Sequence, residues 1–253
     1  MNRLADKVAV ITGGNSGVGA EMAKLFADEG AKVVISARRM DKLEDVANEI
    51  RESGGEVLPV RCDIAKAEDA DHLMEEAIRE FGQIDILVNN AGILESGMKP
   101  IDKADLEDIS RILDTNLKGT MYITRAAVRY MEENGGAIVN IASVAGVFGC
   151  GPAAYAAAKG GVIALTKHTA FRYCGKGIRT NVICPGTIQT PMSANASHDE
   201  LDPDMMAQMY SHLDLKAGLA TSEDIANIAL FLASDESRAM TGQVLVADFG
   251  SSL

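Results

Sequence analysis

Short runs of consecutive apolar, largely β-branched residues recur along the chain, separated by longer segments whose apolar residues return at helical spacing. The runs that read as strands lie at 8–12, 33–37, 57–62, 84–89, 137–141, 179–184 and 244–247; helical spacing marks the stretches near 17–29, 41–53, 67–81, 104–132, 153–174 and 222–233. Most of the strands are apolar throughout rather than alternating. That is the pattern of a parallel sheet covered by helices on both faces. Repeated β–α alternation of this kind predicts a doubly wound, right-handed α/β fold. Glycines stand where helices should stop, at Gly30, Gly54, Gly55, Gly135, Gly136, Gly175 and Gly177. With no linker, repeat or low-complexity tract, residues 1–253 read as one domain. The only long irregular stretch, 185–221, has room for a short helix and is expected to be a functional lid.

Composition narrows the field. The formal net charge of −12 argues against a nucleic-acid partner, because binding phosphates depends on clustered Lys and Arg. It offers no attraction to an anionic membrane either. No basic segment followed by a long apolar run stands at the N-terminus, and no apolar stretch approaches the ~20 residues needed to span a bilayer. A cytoplasmic protein is the expectation. The four cysteines, Cys62, Cys150, Cys174 and Cys184, have neither the density of a disulfide framework nor the spacing of a zinc site, and buried reduced thiols are expected. His72, His168, His198 and His212 have no partner at metal-ligand spacing, so no metal is expected.

The first strand runs into Thr12-Gly13-Gly14-Asn15-Ser16-Gly17-Val18-Gly19 and then directly into a helix. Glycines there allow a tight turn and let a pyrophosphate approach N–H groups at a helix N-terminus. The spacing is G-x-x-x-G-x-G rather than G-x-G-x-x-G, and the position between strand and helix gives it its weight. An NAD site usually places a carboxylate at the end of the second strand to bind a ribose 2′-hydroxyl. Here that place holds Ser36-Ala37-Arg38-Arg39. Two guanidinium groups suit a 2′-phosphate, with Arg38 the stronger candidate and Arg39 open to being a solvated charge. NADP(H) is therefore expected in preference to NAD(H), although Ser16 stands where a second phosphate-binding base could have been.

Farther on, Tyr155-Ala156-Ala157-Ala158-Lys159 comes after Gly151-Pro152. Four residues of separation put Tyr155 and Lys159 on one helix face. A phenol of pKa about 10 is a poor acid–base group near neutrality. A neighbouring ammonium favours the phenolate and is expected to bring it into range. The surrounding alanines and glycines would let other backbone or a flat ring come close.

Together, the 12–19 loop, Asn89-Asn90-Ala91-Gly92, Asn116, Ser143, the Tyr155/Lys159 pair and Pro185-Gly186 resemble, in order and spacing, the short-chain dehydrogenase/reductase family over nearly the whole chain. The resemblance implies a seven-stranded parallel sheet, a Rossmann fold, a nicotinamide cofactor and the interconversion of a secondary alcohol and a ketone. It implies that Tyr155 is the general acid–base and that Lys159 holds the nicotinamide ribose and lowers the tyrosine pKa. Ser143 would orient the substrate oxygen, and Asn116 would anchor a water in a proton relay. Asp63 with Ile64, and Asn89, Ala91 and Gly92, would border the adenosine side of the cofactor. Pro185, Gly186, Ile188 and Thr190 would stand near the carboxamide. A homotetramer is a further implication. The chain departs from the family in two places: the glycine loop lacks the basic residue common in NADP-using relatives, and Asp248-Phe249-Gly250 replaces the usual Asp-Gly-Gly.

Within 185–221 lie Met192, Met205, Met206, Met209, Tyr210, Leu213 and Leu215. Methionines adapt to irregular apolar shapes, so a bulky apolar substrate is expected, a hydroxysteroid or bile acid first. Core packing under a lid would explain the same residues. A 3-oxoacyl carrier-protein reductase would need a basic patch for an acidic carrier. Arg125, Arg129, Arg172 and Lys176 could supply one, opposed by Glu132 and Glu133. A sugar or polyol dehydrogenase is also open, as is an NADP-sensing regulator without turnover, which would have no need of the complete Ser, Tyr and Lys set.

Overall fold

The computed structural model describes residues 2–95, 97–190, 201–214 and 216–253. Seven strands form one parallel sheet in the order β3-β2-β1-β4-β5-β6-β7. They are β1 (Val8–Thr12), β2 (Lys32–Ala37), β3 (Val57–Arg61), β4 (Ile86–Asn89), β5 (Gly136–Ile141), β6 (Ile178–Pro185) and β7 (Val244–Ala247). β1 pairs in register with β2 (Val10 opposite Val34) and with β4 (Val10 opposite Leu87). The strand order reverses between β1 and β4, which opens a crevice at their carboxyl ends, the place where such sheets bind ligands.

The unbroken apolar character of the strands has a direct cause in the packing. Successive residues of β1 enter different cores: Ala9 and Ile11 face one cluster with Met22, Phe26, Leu43 and Leu230, while Val8 and Val10 face the other with Leu73, Met74, Ile123 and Met131. The first core lies under α1 (Gly17–Asp28), α2 (Met40–Glu52) and α9 (Ser222–Ala233). The second lies under α3 (Ala67–Phe81) and α5 (Thr120–Met131). α9 is started by a capping box in which Thr221 Oγ1 accepts the Asp224 N–H at 3.2 Å and the Thr221 N–H donates to Asp224 Oδ2 at 2.8 Å.

The single helix expected over 104–132 is instead three pieces. α4 (Leu106–Ile112) leads into a π-helical turn, Leu113–Gly119, and α5 comes next. Apolar spacing cannot register such an insertion, because a wide turn adds a residue without changing which residue types are used. The expected 84–89 strand begins at Ile86. A short helix unmarked by the sequence pattern, α6 (Val144–Phe148), precedes the long α7 (Ala153–Tyr173). The small residues around Tyr155 and Lys159 serve this junction. A Cβ on Gly146 of α6 would stand 2.6 Å from the Gly160 N of α7, and one on Gly161 would stand 2.8 Å from the Leu117 side chain. Among the described residues of 185–221, the short helix is α8 (Pro203–His212), begun by Asp202, whose side chain accepts the Met205 N–H at 2.9 Å. Cys62 and Cys184 are buried, Cys150 is intermediate, and Cys174, against expectation, is exposed at the end of α7.

Candidate active site

The nucleotide half of the crevice is assembled from backbone. Gly13 and Gly14 donate to the Ser36 carbonyl at 2.8 and 3.1 Å, tying the turn to the end of β2. Asn90, the residue after β4, braces it, with Nδ2 donating to Thr12 O at 3.0 Å and Gly13 O at 3.3 Å. Thr12 Oγ1 accepts the Asn90 and Ala91 N–H groups at 3.1 Å each. Gly19 closes the turn: a Cβ there would meet the Gly13 carbonyl oxygen at 2.2 Å. Ser16, the residue before α1, is extended and makes no side-chain cap, so the first N–H groups of α1 are uncapped by it. They line a cleft of about 700 Å³ together with Asn15, Gly17, Val18, Arg38, Arg39, Asp63 and Ile64. Ser36 lines the same cleft, and its buried Oγ has no partner among the described residues. Uncapped helix N–H groups, a turn with no room for a side chain and two exposed guanidinium groups fit a phosphate-bearing dinucleotide.

The opposite wall carries Ser143, Tyr155 and Lys159 with Pro185, Gly186, Ile188 and Thr190. Ser143 sits at the N-terminus of α6, its Oγ accepting the Ala145 N–H at 3.1 Å. Tyr155 is on the first turn of α7, and Lys159 stands one turn later with Nζ 5.5 Å from the Tyr155 ring centre. Lys159 is buried and donates to the Ile141 carbonyl at 2.8 Å. Asn116, in the π turn, spends both ends of its amide on one residue: Oδ1 accepts the Ile93 N–H at 2.9 Å and Nδ2 donates to Ile93 O at 2.8 Å. Gly92 lies between this amide and the lysine, since a Cβ there would be 3.3 Å from Asn116 Oδ1 and 3.6 Å from Lys159 Nζ.

The electrostatics correct one expectation. Rather than being lowered by Lys159, the Tyr155 phenol is pushed up to about 12 by burial, which the neighbouring Ser143 hydroxyl only partly opposes. Burial also draws the Lys159 ammonium down to about 8. For both groups desolvation is the largest cause.

Nearly all the residues singled out in the sequence meet in this cleft. Asn89 does not: it is turned inward, with Nδ2 donating to Thr124 Oγ1 at 3.0 Å and Asn140 Oδ1 at 2.8 Å, and its neighbour Asn90 lines the cleft instead. Asn89 is the last residue of β4 and Asn90 the first beyond it. Asn116 is not among the lining residues, its amide being bonded to Ile93 at the cleft's edge. Unanticipated lining comes from Ile93, Leu94, Glu95, Arg111 and Thr115, residues with no motif; a lone carboxylate after four small or apolar residues is the one available signal. Of the loop residues, Met192 and Leu215 lie outside the described residues. Met205, Met206 and Met209 are half-exposed on α8, which has no buried residue. No group of residues that could hold a metal occurs among the described residues, and no described helix is long and apolar enough to cross a membrane.

A parallel sheet with a crevice at its switch point, a glycine turn on one wall and a Ser, Tyr and Lys set on the other, defines a dinucleotide-dependent oxidoreductase acting on CH–OH groups. Similarity to known proteins narrows the class. Residues 13–252 match the family model described as enoyl-(acyl carrier protein) reductase. The chain is 39% identical, over 100% of its length and 98% of the relative, to the 2,5-dichloro-2,5-cyclohexadiene-1,4-diol dehydrogenase of Sphingobium indicum. It is 37% identical, over 98% of its length and 95% of the relative, to 3β-hydroxysteroid dehydrogenase 2 of Eggerthella lenta. The solved structure of levodione reductase superposes with a TM-score of 0.90 at 33% identity, covering 98% of each chain. The protein belongs to the short-chain dehydrogenase/reductase family, whose members use NAD(P)(H), act on small molecules and are commonly oligomeric.

Proposed function

We propose that this chain is an NADP(H)-preferring, cytoplasmic dehydrogenase that interconverts a cyclic secondary alcohol and its ketone, a hydroxysteroid or bile acid being the first candidate. The observation that carries the reading is the convergence of Ser143, Tyr155 and Lys159 on one wall of a cleft whose other wall is the glycine turn. A bound nicotinamide supplies or receives the hydride. Tyr155 gives its phenolic proton to the substrate oxygen as a ketone becomes an alcohol, and takes it back in the reverse direction. Ser143 donates a hydrogen bond to the same oxygen. Lys159, fixed by the Ile141 carbonyl, holds the nicotinamide ribose. Asn116 keeps the Gly92–Ile93 backbone in place beneath them.

Arg38 and Arg39, exposed at the cleft beyond β2 with no carboxylate among Ser36, Ala37 and themselves, support NADP(H). The apolar substrate is supported by the half-exposed methionines of α8 and by the cyclic alcohols in the relatives' names. A carrier-protein substrate is less well supported, although a 3-oxoacyl-acyl-carrier-protein reductase of Thermotoga maritima is 36% identical over 98% of both chains. The basic patch it would need is largely neutralised: Arg125 and Arg129 both pair with Asp71, at 3.2 and 3.4 Å, and Lys176 pairs with Glu132 at 3.7 Å. Residues 1–253 are read as one domain with its substrate loop at 185–221. Met121 and Phe171, exposed on α5 and α7, are apolar surface that a homotetramer would cover. The test is to measure initial rates with NADPH and NADH against cyclic ketones, 3-oxoacyl thioesters and sugar ketones. NADPH-dependent turnover of the cyclic ketones is expected; NADH preference, or turnover confined to the thioesters, would overturn the reading.

A further inference from the structure

The helix that carries Tyr155 is held from outside its own segment. α7 starts behind Pro152, which offers no side-chain oxygen, so its first-turn N–H groups have no local cap. Their acceptors come from the β4–α4 connection. Glu95 Oε2 accepts the Tyr155 N–H at 3.2 Å, the same carboxylate accepts the Ala154 N–H, and the Lys99 carbonyl takes the Ala153 N–H at 3.5 Å. A carboxylate at a helix N-terminus is further favoured by the partial positive charge there. Its other oxygen, Oε1, is out of contact with solvent and has no partner among the described residues.

The segment bearing Glu95 is anchored on both sides. Upstream, Asn116 holds Ile93 by both its N–H and its carbonyl. Downstream, the Gly97 carbonyl accepts the Asp202 N–H at 3.0 Å, and Lys103 Nζ pairs with Asp202 Oδ2 at 2.6 Å. Glu95 is thus the link between a braced segment of the cleft and the helix whose third residue is Tyr155.

We propose that Glu95 is a positioning residue for the reaction, fixing the first turn of α7 and hence the place of the Tyr155 phenol over the cleft; this rests on the reading of Tyr155 as the acid–base group. An ordinary helix cap would contribute to stability and leave turnover of the folded enzyme untouched. A positioning cap acts on kcat, because small displacements of a reacting group are costly in rate.

The experiment measures kcat, KM and the Kd for NADPH well below Tm for Glu95→Ala, Glu95→Gln and Glu95→Asp, with Tyr155→Phe alongside. Glu95→Ala is expected to lose roughly tenfold or more in kcat with its NADPH affinity unchanged. Glu95→Gln, whose amide oxygen can accept the same N–H groups, should restore most of the rate. Glu95→Asp keeps the charge but withdraws the acceptor by one methylene, so it should be slow too, and it serves as the test if the alanine variant does not fold. Unchanged kcat in Glu95→Ala or Glu95→Asp would overturn the proposal, as would a glutamine variant as slow as alanine. Near-normal turnover in Tyr155→Phe would overturn the underlying reading of the site, whereas an inactive Tyr155→Phe beside a fully active Glu95→Ala would remove the role of Glu95 alone.

Discussion

The two walls of the cleft are built from different materials. On the nucleotide side, glycine backbone, a helix end and the Asn90 brace make the surface, and a Cβ at Gly13 or Gly19 would collide with atoms 2.2–2.9 Å away. On the substrate side, Ser143 ahead of α6 and side chains from α7 and the β4–α4 connection make it, and α8 stands by with no buried residue. Backbone surfaces tolerate little variation and recognise what all dinucleotides share. Side-chain surfaces can be exchanged residue by residue without disturbing the sheet. The contrast explains how one scaffold can keep its cofactor while changing its substrate.

The sharpest way to separate the walls is Tyr155→Phe. It should lower kcat by at least ~10²-fold, the scale of a lost acid–base group, while fluorescence titration with NADPH gives a nearly unchanged Kd. Near-normal turnover would remove Tyr155 from the chemistry. Next in size is the cofactor preference. A hydrogen bond to a charged group contributes about 1.5–3 kcal/mol, or roughly ten- to a hundredfold, so Arg38→Ala should erase much of the preference for NADPH, and Ala37→Asp should tilt the enzyme toward NADH. Ratios of kcat/KM for the two cofactors decide it; an Arg38→Ala ratio equal to that of the unchanged enzyme would show Arg38 to be a solvated charge.

The buried lysine sets a third test, on stability rather than rate. Its folded-state pKa, about 8, lies below the ordinary value of 10.5, so between these values the unfolded chain binds the proton more tightly and stability rises with pH. Tyr155, raised from 10.0 to about 12, acts in the opposite sense above pH 10. The cofactor-free protein should therefore gain Tm from pH 8 toward 10, and Lys159→Met should flatten that gain; parallel profiles would show that Lys159 is not desolvated. The smallest effect is expected on the outer wall. Replacing Met205, Met206 or Met209 by Ala should raise KM for bulky apolar ketones about three- to tenfold and leave small ketones little changed. Equal losses across substrate sizes would return these residues to a packing role.

The sheet was legible because each strand between two helical layers must be apolar on both faces, a rule that Val8 to Ile11 obey residue by residue. The glycine turn and the Tyr155/Lys159 pair were legible because their spacing is itself the geometry. Asn89 could not be told from Asn90 in the sequence, because only the fold shows that β4 ends with Asn89 turned inward and that Asn90 follows it at the cleft. The phenol's direction of shift was misjudged because a sequence displays the charged neighbour but not the burial that outweighs it. Glu95 carried only a faint signal, a lone carboxylate after small and apolar residues, since it meets Tyr155 only where the β4–α4 connection crosses the start of α7.

The wide turn at Leu113–Gly119 also bears on how this chain can vary. A π turn contains an extra residue relative to an α-helical turn, and each helical residue rotates the rest of the helix by roughly 100°. Deleting any one residue there would leave an ordinary-looking amphipathic segment. It would nonetheless close the wide turn to an α-helical one and shift the residues within it, so that Asn116 loses its place against Ile93. At this point the chain is constrained by its residue count as much as by its residue types, so insertions and deletions should be excluded from 113–119 more strictly than substitutions.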